Sequence, residues 1–212
     1  MSQPDALPVV LAAGLARRMG RPKLTLEVGG QTVLERAVAT VRATTGRDPL
    51  VVTPAEGPVR AVAERLGVVV ALNPDPARGL SSSLGIAAAA AGRRGLLVFL
   101  GDQPEPSREA VRTVMDTLAA HPEAWMVDVR FGETPGHPVF VSWHLYPQVW
   151  RLSGDRGARA LSAACPPGRA ISMAMAGPAP GDIDTPGDWD QFRARDGASS
   201  SGATRRAEEE TG

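Results

Sequence analysis

The chain of 212 residues is poor in cysteine, lysine and aromatic residues, and it has no net charge. Because Cys165 is the single cysteine, neither an internal disulfide nor a cysteine-rich metal site can form within the chain. The 23 basic and 23 acidic residues leave no basic excess of the kind that duplex-binding proteins carry. No apolar run is long enough for a signal peptide or a spanning helix. We therefore expect a cytoplasmic protein that binds neither nucleic acid nor a membrane.

The remaining composition is that of an ordinary globular protein. With 43% hydrophobic and 22% charged residues, the chain can form one substantial core. We expect a single domain over residues 7–195, a disordered N-terminus over 1–6 and a disordered tail over 196–212. The tail consists of small residues followed by paired arginines and three glutamates, and it has no apolar pattern.

Short apolar runs alternate with segments of helical periodicity along the chain. Residues 8–13 and 96–100 are apolar on both faces, as in buried parallel strands, and residues 31–45 have helical spacing before Gly46. Such alternation predicts an α/β protein with a parallel sheet. Ligands of these sheets bind beyond the carboxyl ends of the strands, where the loops at 14–23 and 101–104 are expected.

The first of these loops contains three arginines and Lys23, the only lysine of the chain. Its glycine spacing fits neither the Walker A motif nor the dinucleotide fingerprint. The residues still fit another kind of phosphate-binding loop. In such a loop Gly14 would let the backbone turn close to the ligand, and Arg18 and Lys23 would neutralise the charge of the phosphates. A compact ammonium ion suits a phosphate as a point charge. The alternative is a solvated basic loop.

Two acidic segments could hold a divalent cation. Asp102 follows an apolar strand, where a carboxylate is well placed for Mg²⁺, although a turn aspartate that bonds its own backbone is the alternative. Asp182 and Asp184 lie two residues apart and point to one side if the segment is extended, so either could share the metal. Alternatively, Asp184 or Thr185 caps a helix that begins near Pro186.

Three further segments are candidates for substrate contacts. His137, between a glycine and a proline, could donate a hydrogen bond to substrate or simply occupy a turn. Asp155 and Arg159 lie where a helix is expected to begin and could attract an anion, or else form a cap with solvated arginines. The serines at 81–83 are expected to open and cap an alanine-rich helix that runs to Ala91.

Taken together, these segments resemble the MobA-like nucleotidyltransferases, especially their molybdenum cofactor cytidylyltransferase branch. The matching pieces occur in the family's order and span residues 11–186: Leu11-Ala-Ala-Gly14, Arg18-Met-Gly-Arg-Pro-Lys23, Gly79-Leu-Ser-Ser-Ser-Leu84, Leu100-Gly-Asp-Gln-Pro104, Gly136-His-Pro138, Gly154-Asp-Arg-Gly-Ala-Arg159 and Asp182-Ile-Asp-Thr-Pro186.

The resemblance implies a three-layer αβα Rossmann-like fold with a mostly parallel central sheet. It also implies transfer of a nucleoside monophosphate from an NTP to a phosphorylated acceptor, with release of pyrophosphate. By motif position, the catalytic residues would be Lys23, Arg18 and Asp102. The resemblance also implies a nucleotide pocket lined by the backbone of Leu11, Ala12, Ala13 and Gly14, with Ser82 and Ser81 in contact with the base or ribose. Asp102 and Asp184 would bind Mg²⁺. The acceptor would bind at His137, Asp155 and Arg159.

The branch and the acceptor follow from the resemblance alone. The serine triplet favours CTP over GTP, and the implied acceptor is molybdopterin, with a molybdoenzyme as the protein that receives the cofactor. Ala16 departs from the family, which often has serine there, so one hydroxyl contact to phosphate is lost. One alternative is a transferase of the same fold that uses another NTP, or a sugar or alcohol phosphate as the acceptor. A second is an NAD(P)H oxidoreductase, which the missing dinucleotide fingerprint disfavours. A third is a nucleotide-binding accessory protein for molybdoenzyme maturation.

Overall fold

A computed structural model of the protein describes residues 5–15 and 19–196. In this part of the chain a seven-stranded sheet consists of β1 (Ala6–Leu11), β4 (Leu50–Pro54), β5 (Val70–Asn73), β6 (Gly95–Leu100), β7 (Met126–Phe131), β8 (Thr134–Val141) and β9 (Ala170–Met175), and a separate hairpin consists of β2 (Glu27–Val28) and β3 (Gln31–Thr32). The strand order in the sheet is β5-β4-β1-β6-β8-β7-β9. All its neighbouring strands pair in parallel except those that pair with β8.

Helices cover both faces of the sheet and create a three-layer αβα architecture, as expected. On one face lie α1 (Val33–Thr45), α2 (Pro58–Arg65), α4 (Arg108–Ala120) and α6 (residues 186–196). The other face is covered by α3 (Leu80–Ala91), the short α5 (Tyr146–Val149) and the 3₁₀ segment Ala158–Ala164. Each layer has its own buried cluster, and alternate strand residues such as Val9 and Val10 enter opposite clusters because successive side chains point to opposite faces.

Local sequence signals account for where several helices begin and end. Thr32 and Glu35 form a capping box at the start of α1, and Gly46 ends that helix in the left-handed conformation that glycine adopts without strain. Ser107 caps α4 by accepting a hydrogen bond from the backbone N–H of Ala110. The end of α1 at Gly46 agrees with the sequence prediction.

Some predicted elements differ in the structure. The helix predicted from residue 31 begins at Val33, because residues 31 and 32 pair in the β2–β3 hairpin. Strand β1 begins at Ala6, and α6 includes Asp196, whose carboxylate pairs with Arg36 at 2.6 Å. The rest of the predicted tail, and residues 1–4, lie outside the described residues. Among the described helices, none is both long and apolar enough to cross a membrane.

The central strands bring two loops together at the carboxyl edge of the sheet. Strands β1 and β6 pair in register from Ala6 and Gly95 to Leu11 and Leu100. Beyond them, the N–H of Gly101 donates to the carbonyl of Leu11 at 2.9 Å. A Cβ at position 101 would lie 3.2 Å from this same carbonyl oxygen, so the absence of a side chain permits the close approach. The loop after β1 therefore lies against the loop that carries Asp102.

Candidate active site

A cleft of about 410 Å³ opens at this edge of the sheet. Its walls come from the loops after β1 and β6, from the segment that leads into α3, and from two later segments around residues 155 and 184. The lining residues are Leu11, Ala13, Gly14, Leu15, Lys23, Leu24, Pro76, Ala77, Gly79, Leu80, Ser83, Leu100, Asp102, Asp155 and Asp184. Seven of the predicted site residues are among them: Leu11, Ala13, Gly14, Lys23, Asp102, Asp155 and Asp184.

Lys23 connects two carboxylates that are far apart in the sequence. Its Nζ lies 2.7 Å from Oδ2 of Asp102 and 2.6 Å from Oδ1 of Asp184, and its side chain is only 10% exposed. Burial alone would lower the pKa of Lys23, but the two carboxylates outweigh that effect and raise it. The lysine is therefore charged at neutral pH, and it holds both acids at one end of the cleft.

The segment after β9 is held in place by Ile183. This side chain is 2% exposed in the core, and its backbone N–H donates to the carbonyl of Asp102 at 3.0 Å. The two flanking acids have different partners: Asp184 bonds Lys23, whereas Oδ1 of Asp182 accepts a hydrogen bond from Nε2 of Gln103 at 2.6 Å. Burial raises the pKa of Asp182. The two acids, which are equivalent by spacing, therefore differ in their tertiary partners.

The capping alternative for this segment applies to Thr185 and not to Asp184. The Oγ1 of Thr185 accepts from the N–H of Asp188 at 3.2 Å, and Oδ2 of Asp188 accepts from the N–H of Thr185 at 2.7 Å. This reciprocal pair has the form of a capping box at the start of α6. Asp184 contributes only its backbone N–H to this cap, so its carboxylate faces Lys23 and the cleft.

The carboxylates fit a cation that arrives with a nucleotide. Oδ1 of Asp102 is buried and has no hydrogen-bond partner within the described ranges 5–15 and 19–196. In the same ranges no group of three or more His, Cys, Asp or Glu side chains could hold a metal ion by itself. Mg²⁺ is commonly bound by one or two carboxylates together with substrate phosphates and water. Asp102 and Asp184 are two carboxylates of this kind, and the remaining ligands would come from the nucleotide phosphates and water.

The serine segment differs from the prediction. The N-cap of α3 is Gly79, and no side chain caps this helix. Ser82 donates its hydroxyl to the carbonyl of Gly79 at 2.8 Å, and the buried Ser81 does not line the cleft. The serine that lines it is Ser83, to which the sequence motif assigned no contact. Helical phase could have identified it, because Ser83 shares a face with Leu80 and Ala87, three and four residues away.

The segment around Asp155 is fixed by contact with the start of α3. A Cβ at Gly79 would lie 2.5 Å from the backbone C and O of Gly154, and the N–H of Ser81 donates to the Gly154 carbonyl at 3.1 Å. This contact places Asp155 on the cleft. The predicted helix from residue 155 is wrong, because only the 3₁₀ segment Ala158–Ala164 forms and Gly157 precedes it. Asp155 therefore caps no helix.

Gly79→Ala is expected to destabilise the protein and to weaken nucleotide binding. The new Cβ would collide with backbone atoms of Gly154, and Gly79 has a φ of +86°, where an L side chain is strained. We expect a loss of about 2–4 kcal/mol in the free energy of unfolding, measured by urea denaturation. Gly154→Ala is the matched control: its φ is +64° but nothing lies within 4 Å of the new Cβ, so about 1 kcal/mol is expected. Equal losses would contradict a role for this contact.

His137 and Arg159 form a second group outside the lining of the cleft. His137 is buried on β8, and its Nδ1 lies 3.3 Å from the carbonyl oxygen of Val98. A ring nitrogen that faces a carbonyl carries the proton, which leaves Nε2 as an acceptor. Burial, together with the nearby Arg159 charge, lowers the pKa of His137 to about 4, so the ring is neutral at pH 7.

Arg159 is an incompletely paired cation beside this histidine. Its Nε and Nη2 are buried and lack hydrogen-bond partners in the part of the chain that the structure describes. Burial lowers the pKa of Arg159, while Asp128 and Asp182 oppose that shift. The guanidinium thus feels the charges of Asp128 and Asp182, and within the described residues the three N–H groups on its Nε and Nη2 have no hydrogen-bond partner.

Of the predicted residues that remain, Ala12 does not line the cleft. Ala12 is fully buried, and its N–H donates to the carbonyl of Val52, so it contributes to the packing of the strand ends. Arg18 lies outside the described residues, as does Ala16. Lys23 is therefore the described member of the predicted pair of cations.

Comparisons with known proteins show the family of this chain and agree with its fold. Residues 8–169 match the family described as the MobA-like NTP transferase domain. The chain is 31% identical over 208 residues to the purine catabolism protein PucB of Bacillus subtilis strain 168, covering 91% of this chain and 98% of that protein.

Several solved structures resemble this chain over nearly its whole length. Rv0371c from Mycobacterium tuberculosis H37Rv has a TM-score of 0.74 and 29% identity, over 92% of this chain and 100% of that chain. A structure of that protein in complex with manganese has a TM-score of 0.69 and 28% identity, over 91% and 99% of the two chains. A nucleotidyl transferase from Methanothermobacter has a TM-score of 0.73 and 25% identity, over 92% and 98%.

The family match begins within β1 and ends just before β9, so it includes the strand ends that carry the first loop and Asp102. The two solved relatives with the higher TM-scores, 0.74 and 0.73, each cover 92% of this chain and so share its overall fold. The protein is therefore a nucleotidyltransferase that belongs to the MobA-like NTP transferase family.

Proposed function

We propose that this protein is a Mg²⁺-dependent cytidylyltransferase that moves CMP from CTP to the phosphate of molybdopterin and releases pyrophosphate. The observation that carries the transferase proposal is the bridge from Lys23 to Asp102 and Asp184 at the end of the cleft. We place the reaction in the cytoplasm, with a molybdoenzyme as the protein that receives the cofactor.

The reaction requires two anions to approach each other. An oxygen of the acceptor phosphate attacks the α-phosphorus, the new P–O bond forms, and the bond to the departing pyrophosphate breaks in line with it. The ammonium of Lys23 supplies a fixed positive charge in a site with little solvent, where it stabilises the charge that develops on the leaving group. No covalent intermediate with the enzyme is needed.

Asp102 and Asp184 are the residues that would hold the metal. Bound Mg²⁺ supplies charge neutralisation at the phosphates. The buried, unpartnered Oδ1 of Asp102 supports this role, and so does the manganese complex of the mycobacterial relative. Gln103 and Ile183 contribute indirectly, because they hold the segment that carries Asp184 against the strand end.

The acceptor side of the proposal rests on Arg159, His137 and Asp155. Two buried guanidinium nitrogens without partners in the described chain favour an anionic group on the acceptor. Neutral His137 can orient the acceptor through its unprotonated Nε2. Asp155 lines the cleft beside Gly79, at the start of α3. Molybdopterin itself, and CTP as the donor, are supported by the motif resemblance.

Pyrophosphate release tests the proposal. The purified protein is incubated with Mg²⁺ and molybdopterin, and CTP, GTP and ATP are compared, with acceptor-free reactions as the control. We expect CTP to give at least about tenfold more pyrophosphate than GTP, a preference of about 1.4 kcal/mol. Faster release with GTP would overturn the base preference, and release only with sugar phosphates would overturn the acceptor. Nucleotide binding without any release would favour the accessory protein.

A further inference from the structure

The start of α3 is organised by a buried amide that the sequence analysis did not single out. Asn73 is the last residue of the edge strand β5 and is 1% exposed. Its Nδ2 lies 2.8 Å from Oγ of Ser82 and 3.0 Å from Oγ of Ser83. Its Oδ1 accepts a hydrogen bond from the backbone N–H of Asp75 at 3.0 Å.

Simple chemistry fixes the orientation of this amide. The backbone N–H of Asp75 can only donate, so the Asn73 atom that faces it must be the oxygen. Nδ2 then points to the two serines and uses both of its N–H groups on them. Each serine oxygen therefore accepts from Asn73 and keeps its own hydrogen for another partner.

The two serine hydroxyls differ in where that hydrogen goes. Ser82 donates to the carbonyl of Gly79 at 2.8 Å, so its hydroxyl is fully engaged within the protein. Ser83 is buried at the wall of the cleft, and within residues 5–15 and 19–196 its oxygen has only Asn73 as a partner. The hydroxyl hydrogen of Ser83 is therefore available for a hydrogen bond to a ligand in the cleft.

The surroundings of Ser83 fit the nucleoside part of the substrate better than the triphosphate. Two amides in the first turn of α3 are already engaged, because the N–H of Ser81 donates to the carbonyl of Gly154 and the N–H of Ser82 donates to the carbonyl of Gly79. The neighbouring lining residues Pro76, Ala77 and Leu80 carry no charge. A triphosphate is better matched by Lys23, which lies with the acids.

We infer that Ser83 donates a hydrogen bond to an acceptor atom of the nucleoside part of the nucleotide, and that Asn73 is the positioning residue that fixes Ser83 as a donor. The inference rests on the proposed function, because it assigns the nucleoside end of the same cleft. It also replaces the base or ribose contact that the resemblance assigned to Ser82 and Ser81.

Asn73→Asp tests this polarity with almost no change of shape. The aspartate can still accept from the Asp75 N–H, but its other oxygen is an acceptor where Nδ2 was a donor. The hydroxyls of Ser82 and Ser83 would then turn their hydrogens to the carboxylate, and Ser83 would present lone pairs to the cleft. We expect the Kd for CTP to rise by about tenfold or more, and the Kd for inorganic tripolyphosphate to change by less than about twofold, both by calorimetry.

A double-mutant cycle with Ser83→Ala separates polarity from the added charge. Ser83→Ala alone is expected to weaken CTP binding by about fivefold to tenfold, and Asn73→Asp is expected to add less than about twofold in that background. An undiminished effect of Asn73→Asp without the Ser83 hydroxyl, or an equal loss of tripolyphosphate binding, would assign the effect to charge and overturn the inference.

Two further outcomes keep this inference distinct from the proposed function. If Asn73→Asp does not fold, Ser83→Ala and Ser82→Ala still decide, because a larger loss of CTP affinity in Ser82→Ala would overturn the assignment to Ser83. If the unaltered protein binds no nucleotide, the proposed function fails. If it binds CTP and Asn73→Asp binds equally well, only the role of Asn73 and Ser83 fails.

Discussion

Lys23→Met is expected to lower kcat for pyrophosphate release by about a hundredfold to a thousandfold, the range typical for loss of one preorganised electrostatic contact. Methionine retains much of the buried stem but removes the only ammonium side chain in the sequence. In the described structure this ammonium contacts both acids of the site, at 2.7 and 2.6 Å. Its loss removes positive charge from the triphosphate and leaves two carboxylates facing each other.

The same substitution is expected to cost stability, though less than a fully buried ion pair would. The side chain of Asp184 is 46% exposed and that of Asp102 is 23% exposed, so water screens part of the repulsion. We expect a loss of about 1–2 kcal/mol, below the 3–5 kcal/mol that is typical when a buried pair is broken. Thermal unfolding and the pyrophosphate assay separate this structural effect from the catalytic one.

Two companion variants make the result specific to Lys23. Lys23→Arg keeps the charge, but its planar guanidinium is larger than an ammonium, so it is expected to recover stability better than activity. Arg21→Met removes an exposed cation from the same loop and is expected to change kcat by less than about twofold. Full activity in Lys23→Met, or an equal loss in Arg21→Met, would contradict the proposed role of Lys23.

The sequence was sufficient to predict the architecture and the position of the main charged groups. Lys23 and Asp102 follow buried strands, and the carboxyl ends of parallel strands converge at one edge, so proximity could be expected from topology. The helix boundaries at Gly46 and Ser107 have local causes in capping chemistry, which involves only neighbouring residues. Such features are accessible because they depend on short stretches of chain.

Partner choice across long sequence separations was not accessible in the same way. Asp182 and Asp184 are equivalent by spacing, and they are distinguished by Gln103 and Lys23, which lie 79 and 161 residues from their respective partners. Burial of Ile183 between them depends on the completed core. A pattern of acids therefore indicated a site but could not assign its members.

The serines at 81–83 show a second limit of prediction from sequence, which is the rotational position of each side chain around a helix. Successive residues of an α-helix are rotated by about 100°, so a small error in the start of a helix changes which side chain faces a ligand. The helix was expected to open on a serine cap, whereas it begins at Leu80 behind Gly79, whose conformation is fixed by contact with Gly154. The cleft consequently contains Ser83, and the hydroxyl of Ser82 bonds the protein instead.

Asp184→Asn is expected to reduce kcat by about a hundredfold or more and to raise the Mg²⁺ concentration needed for half-maximal rate, whereas Asp182→Asn is expected to cost less than about tenfold. Both changes preserve shape and remove one negative charge. Asp184 lines the cleft beside Lys23, while Asp182 already accepts a hydrogen bond from Gln103. An amide at position 182 can still accept that bond through its oxygen, so the segment stays in place.

Titration of pyrophosphate release with Mg²⁺ and Mn²⁺ measures the effect, with Asp102→Asn as the reference for complete loss of a ligand. A larger metal requirement in Asp182→Asn than in Asp184→Asn would transfer the metal to Asp182 and refute the assignment made from the Lys23 bridge.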